Sequence, residues 1–201
     1  MKQRCGVLLL AALLVSCSEP VAKKVAKEPE KPPEPVTGRY AFHQVYINAR
    51  TWATDLQGLR VTNLRVGPQT PPPGKSYAWE ITFVSPSKGR QRRYEYSVIE
   101  EGSVHKGTFG HPDESYMQRG QARLWNIQAL KVDSDAAYEA ALKKSADYVK
   151  KNPDKPLSFL LELTPRHPNL VWRVIWGASV AQSNYSVYVD ASTGIYLETM
   201  R

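Results

Sequence analysis

Cysteine is nearly missing from this 201-residue chain: Cys5 and Cys17 are the only two, and both fall in the first seventeen residues. Residues 18–201 therefore form no disulfide among themselves, and the folded part stands on its core alone. Long apolar runs are missing as well. Residues 6–15 (GVLLLAALLV) make a run of ten, too short to cross a bilayer as a helix. Signatures of catalysis are equally scarce. No G-x-S-x-G elbow occurs. The four histidines, His43, His105, His111 and His167, show no H-x-x-x-H spacing, and no cysteine follows Cys17 to complete a zinc site. Gly74-Lys75-Ser76 imitates the end of a phosphate-binding loop, but Gln69 stands where that loop needs glycine, and three prolines precede Gly74. Neither a metal nor another cofactor is expected, and no catalytic residue is assigned.

What is present begins at the N-terminus. Lys2 and Arg4 precede the apolar run, which ends in Leu14-Val15-Ser16-Cys17. This pattern resembles a bacterial lipoprotein signal peptide with its lipobox. The resemblance implies that residues 1–16 are removed and that Cys17 carries a covalent lipid as the new N-terminus. The mature protein would then be membrane-anchored and extracytoplasmic without a transmembrane helix. Ser18 in place of aspartate implies the outer membrane facing the periplasm, if the cell is Gram-negative.

Residues 18–38 read as a tether. They contain five prolines, four lysines, four glutamates and no aromatic residue, too little apolar surface to offset the entropy of ordering. Extended polyproline II at ~3.1 Å per residue would let them hold a domain up to roughly 60 Å from the lipid. The segment serves either as a spacer that reaches a partner or as a plain linker. The formal charge of the whole chain is +8; without Lys2 and Arg4 it is +6, all of it in residues 39–201, because the tether's charges cancel. That excess suits anionic envelope surfaces and is no nucleic-acid signature.

The remaining ~160 residues suit one medium domain or two small ones. A helical period runs through Phe42, Val45, Tyr46, Ala49, Trp52 and Ala53. Strand patterns follow from Leu59 to Val66, from Tyr77 to Val84 and from Tyr94 to Ile99, with a basic turn expected at 85–92. Residues 107–120 look like loop and 124–132 like a strand. A second helix is expected from Asp133 or Ser134 to about Lys151, stopped by Asn152-Pro153. Strands at 157–163, from Asn169, at 185–190 and from Ile195 complete the second half. The halves read alike: Trp79-Glu80-Ile81 aligns with Trp172-Arg173-Val174, and Tyr94 to Val98 with Tyr185 to Val189. The expected class is α+β, two tandem repeats of a helix on an antiparallel sheet, at 39–105 and 133–201, joined by residues 106–132.

The second half, with Trp172 to Val174 and then Tyr185 to Gly194 ending in Asp190-Ala191-Ser192-Thr193-Gly194, resembles a PepSY-like domain; residues 40–105 resemble a degenerate copy with Glu100-Glu101-Gly102 at the turn. The resemblance implies a small extracytoplasmic module without catalytic residues, proposed to inhibit peptidases or bind other proteins. A non-enzymatic protein-binding or accessory role with an envelope protein as partner is the expectation. A ligand or glycan binder using a cleft between the halves is the alternative, and an envelope hydrolase a third reading. Lys88, Arg90, Arg92 and Arg93, expected together at a hairpin tip, form the candidate contact for an anionic surface or an acidic partner.

Overall fold

The computed structural model describes residues 32–118 and 120–201. The expected signal segment, Cys17 and most of the expected tether lie outside the described residues. The folded unit spans Pro33–Arg201. Its first half contains β1 (Val36–Thr37), α1 (Gly38–Ala49), β2 (Gln57–Leu64), β3 (Lys75–Ser76), β4 (Ala78–Ser85), β5 (Arg90–Ser97), β6 (Gly107–Gly110) and β7 (Glu114–Ser115). The second contains α2 (Ser134–Lys151), β8 (Leu157–Glu162), β9 (Val171–Trp176), β10 (Ser186–Asp190) and β11 (Tyr196–Met200). The class is α+β, as expected.

The two halves share one antiparallel sheet, in the order β11-β10-β9-β8-β2-β4-β5-β6, with β7 also paired to β5. Each half supplies a helix and then four strands in running order outward from the centre. The halves join where Val61 and Thr62 of β2 pair with Leu161 and Leu160 of β8. Side chains extend this short ladder: Thr62 Oγ1 donates to the Phe159 carbonyl at 2.9 Å, and the Phe159 N–H donates to Asn63 Oδ1 at 2.7 Å. Both helices lie on the same face, over a core that includes Phe42, Val45, Val61, Trp79, Leu161 and Trp172. Alternation along each strand sends Val61, Trp79, Leu161 and Trp172 to the helices and their neighbours to the opposite face.

The helix N-termini meet at the junction. Trp79 and Trp172 are fully buried with ring centroids 6.3 Å apart, edge to face. Each indole N–H donates, at 2.9 Å, to the carbonyl just before a helix N-cap: Trp79 to Val36, Trp172 to Val132. α1 has no cap of its own, since the Thr37 side chain accepts no hydrogen bond from the helix. Its first amides are met from the other half: Gly38 N–H by Ser134 Oγ at 2.8 Å, and Arg39 N–H by Asp133 Oδ1 at 2.9 Å. Thr37 Oγ1 also donates to Asp133 Oδ2 at 2.7 Å. Asp133 is at the same time the N-cap of α2, accepting from Ser134 N–H at 2.7 Å. One carboxylate thus serves two helix N-termini. Gly38 is required beside it, because a Cβ there would stand 2.7 Å from Trp172 Cη2 and 3.0 Å from Trp79.

Several local expectations are corrected. The fold starts at Val36, inside the expected tether. α1 ends at Ala49, although Trp52 and Ala53 keep their inward places because both amides still donate to the Ala49 carbonyl. Residues 107–110 are strand, not loop: β5 supplies the ladder that their glycines' weak strand propensity hides. Residues 124–132 are not a strand. Trp125 bridges only to Gly58, and Asn126 Oδ1 accepts from Gln128 N–H to start a short 3-10 turn at Ile127–Ala129. The repeat is also offset from its sequence alignment. Ile81 faces Tyr94 whereas Val174 faces Val187, so Tyr94 corresponds to Val187 and not to Tyr185. A slip of two keeps every side chain on its face.

Asp133→Ala should cost about 2 kcal/mol, roughly one cap at each helix, read as a lowered urea midpoint with an unchanged slope. Gly38→Ala should cost about 1–3 kcal/mol by overpacking the two indoles; a stability equal to wild type would contradict the junction described above.

Candidate functional site

The face of the sheet that carries no helix is the largest feature left uncommitted by the core. Register places Arg60 and Thr62 of β2, Glu80 and Thr82 of β4, Arg93 and Glu95 of β5, Leu160 and Glu162 of β8, Arg173 of β9 and Tyr188 of β10 on it. Opposite charges sit across neighbouring strands, the arrangement that favours a sheet. Arg93 Nη1 lies 3.6 Å from Glu80 Oε2. His111, just past β6, brings Nε2 to 2.8 Å from Glu95 Oε1. Arg173 Nε donates to Ser186 Oγ at 3.0 Å, and its guanidinium lies 5.2 Å from the Tyr188 ring. At the β11 side Arg166 forks onto Glu198, and His167 Nε2 stands 3.1 Å from the same carboxylate.

Burial and charge compete along this row. Desolvation raises the Glu162 carboxyl above its ordinary value, and the nearby Arg60 and Arg173 only partly offset it. Desolvation likewise raises Glu80 against the pull of Arg93. Glu198 moves the other way, held down first by its hydrogen bonds from Arg166. The central carboxylates are therefore charges kept at a cost between strands, while the one near the sheet edge is well satisfied.

The sequence-derived basic cluster does not assemble. Gly89, with φ of 61°, closes the turn early, so only Lys88 lies in it, while Arg90, Arg92 and Arg93 stand on β5. Alternation sends Arg90 and Arg92 to the helix face and Arg93 to the other. Each has a partner. Arg90 Nε reaches Asp113 Oδ2 at 3.0 Å, and Arg92 Nε donates to the His111 carbonyl at 2.8 Å. Lys88 lies 5.8 Å from the Trp52 ring. The turn itself is held by Asp55, which accepts from Ser85 Oγ at 2.6 Å and Ser87 N–H at 2.7 Å; these bonds lower its pKa to about 2.

The histidines stay apart. His43 is exposed on α1; His105 pairs with Glu100 at 2.6 Å in the β5–β6 loop; His111 and His167 each meet a different glutamate at opposite sides of the sheet. Among the described residues no group of three or more His, Cys, Asp or Glu side chains is placed to hold a metal. Gly74-Lys75-Ser76 runs into the two-residue strand β3 and not into a helix of its own; the α2 N-terminus that packs against it is already capped by Asp133, and Ser134 Oγ donates to the Gly74 carbonyl at 2.5 Å.

Two grooves border the helices. One, of about 820 Å³, runs between the 67–76 loop of the first half and Tyr138, Val149, Leu157 and Trp176 of the second. The other, of about 560 Å³, lies beside α2 and is lined by Lys143, Lys144, Lys151, Tyr148 and Arg201. The alternative reading placed a cleft between the halves without naming its residues, and the groove beside α2 was not expected, since the loop's packing against α2 and the helix's placement over β10 are tertiary facts. No family model, curated protein or solved structure matches this chain.

Glu162 tests the electrostatics of the helix-free face. A carboxyl with a raised pKa in the folded state favours folding less as pH rises through that value. Glu162→Gln should therefore raise the thermal midpoint relative to wild type at pH 8 and leave it unchanged near pH 3, where both side chains are neutral. A lowered midpoint at pH 8 would mean that Arg60 and Arg173 outweigh desolvation.

Proposed function

We propose that this protein is a membrane-anchored extracytoplasmic lipoprotein, built from two PepSY-like repeats, that binds a protein partner and performs no catalysis itself. Cys17 carries the lipid, and in a Gram-negative cell the outer membrane facing the periplasm is its place. The observation that carries the binding reading is the helix-free face, where Arg60, Arg93, Arg173, Glu80 and Glu162 form a charged row across both halves. Such a row desolvates poorly against lipid and pairs well with a complementary protein surface. The twofold arrangement of helix and four strands, with matching indole bonds to Val36 and Val132, supports the tandem-repeat reading. Inhibition or regulation of an extracytoplasmic peptidase is the specialised form, by strand addition to the protease.

A ligand or glycan role has one observation in its favour, the groove of about 820 Å³ between the 67–76 loop and Trp176. Its proline-rich wall and aromatic floor suit an apolar or saccharide face.

In-cell crosslinking and affinity capture of the tagged full chain separates the two. One dominant envelope protein is expected from wild type, lost from Cys17→Ala through loss of anchoring. Arg60→Glu with Arg173→Glu should also lose it while the chain stays folded and anchored. Equal recovery from the charge-reversed chain would remove the helix-free face as the contact, and no specific protein at all would remove the protein-binding reading and leave the groove as the site.

A further inference from the structure

β11 ends the sheet, and among the described residues nothing pairs with its outer side. Natural edge strands are shielded by lysine, proline, short length or interruption. The opposite edge follows that rule: β6 has four residues with glycine at both ends, β7 has two, and Pro112 lies between them. β11 (YLETM) has five residues and contains no lysine, proline or glycine; its pairing with β10 shifts register once, at Leu197, and Glu198 to Met200 pair regularly beyond the shift. Hydrogen bonding alternates along antiparallel strands. Counted from the Trp176 N–H to Tyr185 carbonyl bond, the odd positions of β10 serve β9 and the even ones β11. Glu198 and Met200, opposite Tyr188 and Ser186, are thus bonded inward, and the N–H and C=O of Thr199 point outward.

Beside this edge, on the helix face, lies the groove of about 560 Å³. Lys143, Lys144, Lys151 and Arg201 line it against a single acid, Asp147. All four cations are exposed, and none is in an ion pair among the described residues. The Lys144 ammonium lies 5.4 Å from the ring of Tyr196, on β11 itself, so the charge stands directly over the open edge. This contrasts with Arg90, Arg92 and Arg93, whose charges are spent on partners within the fold.

We propose that the outer edge of β11 receives an extended, acidic segment of the partner protein as an added strand, with its alternate side chains lying over Lys143, Lys144 and Lys151. The proposal rests on the protein-binding reading and names the partner's chemistry. Backbone bonds to Thr199 supply affinity without regard to sequence, and the unpaired cations select acidic residues at every second position. The tether of this chain is a poor occupant, since its prolines lack the N–H groups of a strand and its charges cancel.

The test places a photo-crosslinking residue at Thr199 in the full chain in cells and, separately, at Thr82 on the helix-free face, and sequences what is captured. From Thr199 one protein is expected, joined through a segment rich in Asp and Glu. The combined Lys143→Glu, Lys144→Glu and Lys151→Glu change should lower that yield at least about tenfold, with an unfolding midpoint equal to wild type; Asp147→Lys should raise it. A neutral or basic segment, a phospholipid adduct, or a yield indifferent to these charges would overturn the proposal. Capture at Thr82 with none at Thr199 would overturn it and leave the protein-binding reading standing. No capture at either position would remove both.

Discussion

Helix N-termini carry partial positive charge and unpaired N–H groups, so two that meet inside a protein repel each other unless an anion stands between them. Asp133 is that anion here. It caps α2 in the ordinary local way and reaches Thr37 and Arg39 of the first half, ninety-odd residues away in the chain. Because α1 lacks a cap of its own, its start is defined only once the second half is in place. The two indoles beneath, each bonded to the carbonyl ahead of a helix, fix the height of both helices over the sheet. The β2–β8 ladder is only two residue pairs long, so this junction carries much of the union of the halves.

That union produces the surface on which function is proposed. With both helices drawn to one face by the shared aromatic centre, the other face is left to alternate residues of the nine-stranded sheet. The charged ones among them pair across strands, and their burial makes Glu80 and Glu162 reluctant anions. Charge held at such a cost contributes little net stability. The sheet also keeps two ends, and these differ: one is short and broken by Pro112, the other is a five-residue strand with one register shift, beside lysines that make no ion pair among the described residues. An interaction that uses the intact end and one that uses the broad face are compatible, since they occupy different surfaces.

Much of the fold was legible in residue patterns, and the reasons are physical. The helix of 134–151 announces itself by its Asp133 cap and its Asn152-Pro153 stop, both local devices. Trp79 and Trp172 mark corresponding places in the two halves, because each indole lies buried and donates to the carbonyl ahead of a helix. The expected alignment of the third strands of the two halves is offset by two residues, since tyrosine patterning cannot distinguish Tyr185 from Val187 on one face. Gly107 to Gly110 was invisible as strand because its pairing comes wholly from β5. The candidate site was less legible still. Of four cations close in sequence, Lys88 stays in the turn while Arg90 and Arg92 part from Arg93 to two faces of a strand, whereas Lys143, Lys144, Lys151 and Arg201 come together from a helix and a distant segment.

The amino-acid sequence by itself determined the α+β class, the doubled order of helix and strands, and the caps and turns that depend on neighbours a few residues away. These follow from periodicity and local hydrogen bonding, which act within one turn or one hairpin. Only the tertiary structure decided that the halves share a single sheet, that Asp133 serves both helices, which cations remain unpaired and which edge stays open. Each of those depends on contacts between residues tens of positions apart, where pairing partners are chosen by packing and not by spacing along the chain.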